Sequence, residues 1–505
     1  MKEITLKKGL IFNLFSGTLL KVITIILNLL IVPITLNYFG NEQYGFLILI
    51  LSIVNYINIS NLGIADATNI LLAKSRTTSK KIIIIKKSLL LLSISITISI
   101  FLTLLLNQFN INWIKFLGKI PLKYIEEYQK SVFILIVGTL VNMYFSLVDS
   151  IFYGFQLLYI KNIFDIFKQV INFIIIFFII QFKLGIFELS LSIVAINFFI
   201  NILKVIYLYI TLLSKKIREE TMEKTENYLE IMKLGFLFFS NGILAMLFWN
   251  TDSLIISNFI GLDSVASYSI VFKIFYIFIS ILWMFIGSIM PLVGREIANE
   301  REINEFYILT MNISSKIGAI VLVGTFFFMK NIIWMWVGNK IDVNIEIIFV
   351  LGLYCYVLSM STVSSGFLRA SNKIKGLPFI TASEAILNLL VSITLVRIFG
   401  VVGVSIGTLI GALLTTGWIY HYLVKTRLKT KISFSFKPII KQFILLDLLF
   451  IFIAIYLSSF NMNTKIEVYV KIFLFIIYIL FIYLFIDNKI KNKLNEILLK
   501  KIRRK

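Results

Sequence analysis

Asn13, Gly17, Lys21, Thr24 and Asn28 recur every three or four residues through and just before the apolar stretch FSGTLLKVITIILNLLIVPITLNYFG, Phe15 to Gly40. At 100° per residue these five fall within roughly 80° of one another, while Leu, Ile, Val and Phe fill the rest of the circumference. An ammonium flanked by amides and a hydroxyl can hold an anion by charge and hydrogen bonds without making or breaking a covalent bond. Lipid would not tolerate such a stripe, so the spacing predicts that it faces a helix bundle or a water-filled cavity; the competing reading has Lys21 snorkelling to the cytoplasmic interface. Lys204 in NILKVIYLYI and Lys273 in SIVFKIFYIF are further lone cations in apolar runs, and Asp252 in FWNTDSLIIS and Glu384 in SEAILNLL are lone carboxylates. Lys21, Lys204, Lys273 and Asn28 are therefore the candidate anion-binding residues. Asp252 and Glu384 are the candidate ion-coupling residues, open to a proton or a sodium ion, although Asp252 and Lys273 could equally neutralise each other across adjacent spans. Asp149 reads as interfacial, and Asp447 as lying deeper in a span.

The elements that carry these residues follow from composition. Hydrophobic residues make up 59% of 505, mean hydropathy is +0.94, and apolar runs of about twenty residues recur along the whole chain, so the bilayer is the solvent. Such runs fall at about 10–36, 44–65, 88–106, 131–153, 166–182, 187–213, 232–260, 267–293, 314–330, 345–368, 378–399, 402–424, 439–457 and 466–486. The fold class is thus an all-α polytopic membrane protein of about fourteen transmembrane helices; the runs are continuous rather than alternating, which argues against a β-barrel. Lys and Arg concentrate on one side of this arrangement, in MKEITLKK, in the segment from Lys74 to Lys87, in that from Lys425 to Lys441 and in the tail NKIKNKLNEILLKKIRRK. Both termini are accordingly expected in the cytoplasm. The tail repeats Ile490, Leu494, Ile497 and Leu498 at helical spacing among lysines, as a helix lying on an anionic leaflet would, or as a solvated basic tail.

Several functions are excluded on the same grounds. The net charge of +23 sits in short segments between spans, where topology accounts for it, so no nucleic-acid partner is expected. One cysteine, Cys355, and one histidine, His421, supply neither a disulfide nor a metal ligand set, and both read as packing residues. No metal and no cofactor are expected beyond a proton or sodium gradient. No loop exceeds about thirty residues and no G-x-x-x-x-G-K-[ST] occurs, so ATP has no place to bind. Trp334 and Trp336 fit an interfacial aromatic belt. The spacing of Gly407 and Gly411 in GTLIG is that of a close helix–helix contact.

An internal repeat organises the spans. LNYFGNEQYGFLILI and SNFIGLDSVASYSIVFKI each run Asn, two residues, Gly, a short acidic loop, Tyr and a new apolar run. YGFQLLYIKNIFDIFKQVINFIIIFF and SGFLRASNKIKGLPFITASEAILNLLVSI repeat a second landmark in the same order. The chain therefore divides into a six-helix half at 1–213, a charged linker at 214–231, a second six-helix half at 232–425, two added helices at 439–486 and a basic tail at 487–505. Paired halves around a midplane site are a transporter architecture.

The run GFLRASNKIKGLPFITASEAILNLLVSITLVRIFGVVGVSIGTLIGALL, with NYFGNEQYGFLILILSI and ISNLGIADATNILLAK, resembles the polysaccharide exporters related to O-antigen (Wzx-type) flippases, in one superfamily with the MATE drug exporters and the lipid II flippases. The resemblance implies two six-helix bundles facing across a cavity, with extra C-terminal helices. It also implies movement of an undecaprenyl-diphosphate-linked oligosaccharide across the bacterial cytoplasmic membrane by alternating access. Partners would be that lipid-linked oligosaccharide, the bilayer and the polysaccharide polymerase machinery; the protein would not be an enzyme. A MATE-like ion-coupled multidrug exporter stands as the alternative, and a membrane polysaccharide polymerase or glycosyltransferase as a further one. The exporter would want an acidic cavity and the polymerase a sizeable outer loop with carboxylates, and the sequence offers neither.

Overall fold

The computed structural model describes residues 2–484 apart from 76, 109–117, 214–227, 300–302, 342–343, 429–431 and 459–463. Most of the linker expected at 214–231 and the whole of the tail expected at 487–505 lie outside the described residues. In chain order the helices are α1 (Lys2–Ile57), α2 (Ile64–Lys74), α3 (Thr78–Gln108), α4 (Ile125–Asn142), α5 (Ser146–Gly154), α6 (Leu158–Gln181), α7 (Ile186–Leu208), α8 (Tyr228–Phe259), α9 (Leu262–Ala298), α10 (Asn304–Val337), α11 (Ile345–Ala370), α12 (Leu377–Phe399), α13 (Val401–Leu414), α14 (Thr416–Arg427), α15 (Lys437–Gln442), α16 (Leu448–Ser458) and α17 (Thr464–Leu484). No strand occurs among the described residues, as expected where each backbone segment must pair within itself.

Twelve helical segments are long and apolar enough to cross a bilayer, and thirteen when the bent pair Tyr228–Leu244 and Trp249–Phe259, at 45°, is included. The first, Phe15–Ile57, runs 43 residues, about 65 Å of helix and twice a hydrocarbon core. It is broken at Gly40, whose φ of 78° and ψ of 175° belong to glycine alone. The turn divides α1 between the first and second of the expected runs. The fifth, ninth and thirteenth runs appear as Leu158–Gln181, Asn304–Lys340 and Lys437–Leu457. α6 begins two turns before its apolar run because the intervening charges Lys161 and Asp165 are ion-paired to each other within it.

The chain forms two compact units, Met1–Ala266 and Ser267–Lys505. That boundary falls one helix after the charged linker, because α8 packs against α1 and α2 of the first unit. The core of the first unit joins Phe46, Leu49 and Ile50 of α1 to Ala67 and Leu71 of α2, Leu92 and Ile96 of α3, and Tyr128 and Leu135 of α4; the Tyr128 ring stacks on Phe46. In the second unit Met311, Leu322, Val363, Phe367 and Tyr478 anchor a core drawn from α9, α10, α11 and α14 to α17. Lipid tails are as apolar as leucine, so such cores stabilise by close packing and by hydrogen bonds between helices.

Both devices are present. Thr68 donates to Ser88 Oγ (2.7 Å), Ser150 to the Ala65 carbonyl (2.6 Å) and Ser314 to the Ser359 carbonyl (2.7 Å). Gly407 lets α13 lie directly on α12, since a Cβ there would collide with the Ser392 hydroxyl and stand 2.7 Å from its backbone nitrogen. His421 is a packing residue, its Nδ1 2.6 Å from Tyr307 OH and its ring against Phe434 and Phe436. Cys355 is buried.

Candidate functional site

The first unit contains a cavity of about 380 Å³ between α1, α4, α5, α6, α7 and the turn after α1, within the range of small-molecule sites. Four helices present polar side chains to it, those of α4, α5 and α7 at helical spacing. α4 and α5 supply Thr139, Asn142, Ser146 and Asp149, α7 supplies Asn197, Asn201 and Lys204, and α6 supplies Lys168. Asn58 and Asn61 complete the wall from the turn. Gly138 brings α4 against Val194 of α7 at the back of the cavity, and there the Asn142 amide donates to the Gly138 carbonyl at 2.9 Å. Asn201 donates in turn to Asn142 Oδ1 at 3.3 Å.

At one end of the cavity lies a charge cluster. Lys204 Nζ is 2.8 Å from Asp149 Oδ1 and 2.9 Å from Asp165 Oδ1, and Lys161 Nζ is 2.6 Å from Asp165 Oδ2 and 3.9 Å from Asp149. Lys168 reaches Asp165 only at 4.0 Å. Three lysines thus face two carboxylates. The geometry can hold an anion beside amide groups that both donate and accept. Among the described residues no group of three His, Cys, Asp or Glu could hold a metal ion.

The residues singled out from sequence disperse in the fold. Lys204 enters the cluster, where its side chain is 2% exposed; the ammonium expected as an open anion hold is enclosed by two carboxylates. Lys21 and Asn28 are exposed on α1. The stripe itself divides: Asn13 Oδ1 accepts from the Tyr159 backbone N–H (2.8 Å) and Gly17 lies against Asn162, so its N-terminal part forms the α1–α6 contact rather than facing a cavity. Lys273 is half-buried in α9. Asp252 is buried in α8, beside Thr251, whose hydroxyl is 2.8 Å from Tyr56 OH. Glu384 is buried in α12 of the second unit, its Oε1 without a hydrogen-bond partner among the described residues and Thr416 and Tyr420 as polar neighbours.

Asp149, read as interfacial, sits in the cluster because Lys204 and Lys161 draw it in. Asp165, Lys161 and Lys168 were not singled out, although KNIFDIFK places them at i, i+4 and i+7 on one helix face, which is the signal that would have found them. Asn142, Asn197 and Asn201 carried the same kind of signal on α4 and α7.

The profile described as polysaccharide biosynthesis protein matches residues 10–295, more than half of the chain, and the MatE profile matches residues 239–394. A Salmonella typhi protein named for O-antigen transport is 24% identical over 252 residues. That match spans 48% of this chain and 56% of the relative, so the chain covers little over half the length of the curated protein it resembles. Among solved structures, the lipid II flippase MurJ in an inward closed conformation superposes with a TM-score of 0.70 at 16% identity, over 92% of this chain and 97% of that one. An inward-facing multidrug resistance MATE family transporter of the MOP superfamily superposes with a TM-score of 0.64 at 13% identity, over 80% of this chain and 94% of that one. The structural likeness establishes a shared MurJ- and MATE-type fold. With that fold, and with a profile match over more than half of its length, the chain belongs to the polysaccharide biosynthesis protein family.

Proposed function

We propose that this protein is a flippase that moves a lipid-linked saccharide between the leaflets of a membrane. The observation that carries the reading is the amide-rich cavity with an excess of positive charge, set inside a unit whose outer surface is apolar. A polyprenyl tail can stay in lipid while only the headgroup crosses, so the protein needs cationic and hydrogen-bonding groups and no nucleophile. The finer assignment is an undecaprenyl-diphosphate-linked oligosaccharide, moved from the cytoplasmic to the outer leaflet of a bacterial cytoplasmic membrane, with both chain termini cytoplasmic. In this reading Lys21 and Asn28 of the first unit and Lys273 of the second each receive the diphosphate in turn as access alternates, with Lys204 setting the carboxylates of the cluster. Asp252 and Glu384 couple the movement to a proton or sodium gradient, since an intramembrane carboxylate is costly unless it is used. The polysaccharide polymerase machinery would receive the product.

Support comes from the family membership and from the relative named for O-antigen transport. The MatE match over residues 239–394 favours a second reading, export of cationic drugs, which the cluster's positive balance opposes. Reconstitution separates the two. Proteoliposomes holding the purified chain and a fluorescent undecaprenyl-diphosphate glycan should expose that glycan on the opposite leaflet, faster under an imposed proton or sodium gradient. No exposure of the glycan, together with gradient-driven uptake of ethidium, would replace the flippase reading with the exporter.

A further inference from the structure

Lys168 differs from its neighbours in having both spare charge and open space. Lys204 and Lys161 each lie within hydrogen-bond distance of a carboxylate, and Asp165 is already engaged by both. The cation left over is Lys168, at 4.0 Å from Asp165 and with 30% of its side chain exposed, against 2% for Lys204. It lines the 380 Å³ cavity. Lys168 is thus compensated only at 4.0 Å, by a carboxylate that two closer lysines already hold; an ammonium so weakly paired inside a membrane-embedded unit is costly, and an anion that enters beside it lowers that cost. Asp149, the one carboxylate on the cavity wall, is held by Lys204 at 2.8 Å, so it does not cancel Lys168.

The rest of the wall suits a polyhydroxylated group. A primary amide offers two donors and an acceptor in one plane, which matches adjacent hydroxyls. Asn58 and Asn197 line the cavity together with the Thr139 and Ser146 hydroxyls.

We propose that this cavity is a subsite for an anionic group borne on a sugar, with Lys168 pairing the anion and the asparagine amides reading the hydroxyls. The proposal rests on the flippase reading for its sugar, and its anion has two sources of one chemistry: an acidic sugar, or the diphosphate that joins sugar to lipid.

The experiment is calorimetric titration of the purified full-length chain with three soluble probes, methyl glucuronide, methyl glucoside and inorganic pyrophosphate. Methyl glucuronide should bind more tightly than methyl glucoside. Lys168→Gln should weaken it by at least about tenfold, the scale of one charge-assisted hydrogen bond, and Lys168→Arg should retain it. If pyrophosphate instead shows the Lys168 dependence and the two sugars bind alike, the anion is the carrier's diphosphate and the site stands. Failure of both anions to bind, equal binding to Lys168→Gln, or equal loss in the Arg and Gln variants overturns the proposal. Because the readout is binding, a protein that fails to move lipid-linked glycan in vesicles but keeps this pattern would sink the flippase reading alone.

Discussion

Two buried charge networks, one in each unit, are built from the same residue types and end in different places. In the first unit Lys204, Asp149, Asp165, Lys161 and Lys168 carry one more cation than carboxylate, and Lys204, Asp149 and Lys168 of them line a cavity. In the second unit the Lys316 ammonium donates to Gln442 Oε1, Gln442 donates to Asp447 Oδ1 at 3.2 Å, and Tyr478 OH donates to the same oxygen at 3.0 Å. There one cation faces one anion, and Gln442, Asp447 and Tyr478 are at most 1% exposed. Asp447 reaches this position from the π-helical turn Phe443–Asp447, which shifts the register between α15 and α16. The network ties α15 to α17 onto α10 and fixes the C-terminal helices in place. A balanced, enclosed network makes a joint between helices, whereas an unbalanced one against a cavity leaves a charge for a ligand.

The largest expected effect comes from removing the carboxylate that two lysines share. Asp165→Ala should destabilise the first unit by about 3–5 kcal/mol, the usual cost of stranding buried charge, read as loss of monodisperse protein on heating in detergent. An unchanged melting profile would mean that the cluster does not hold α5, α6 and α7 together. The second network should respond similarly to single changes and differently to a double one. Asp447→Leu alone should lose about 3 kcal/mol, and Lys316→Met added to it should restore stability and leave glycan movement in vesicles at the parental rate, because an apolar pair can replace a joint. If the double variant is stable but inactive, the contrast between the two networks collapses.

A smaller loss tests packing alone. Gly407→Leu should cost about 1–3 kcal/mol by forcing α13 away from Ser392, again read from thermal stability, and an unaffected protein would show that α12 and α13 can separate freely. The smallest effect on stability should follow Lys21→Ala, within about 0.5 kcal/mol because the side chain is exposed. Movement of glycan should nevertheless be lost if Lys21 holds the diphosphate; normal movement would remove Lys21 from the proposed site.

The sequence by itself determined the solvent, the element type and most of the span boundaries, because hydropathy over about twenty residues is a property of contiguous chain. It also marked Gly40 as a turn between two runs and Gly407 and Gly411 as a close contact, since small residues at fixed spacing act locally. What it misplaced were the partners of charged groups. Lys204 read as a lone cation because Asp149 and Asp165 lie 55 and 39 residues away, and the choice between bundle and cavity stayed open for Asn13 because its partner, the Tyr159 amide, is 146 residues distant. Whether an intramembrane charge is answered or left over depends on which helices meet, and only the tertiary structure decided that Lys168, rather than Lys204, is the cation with room beside it.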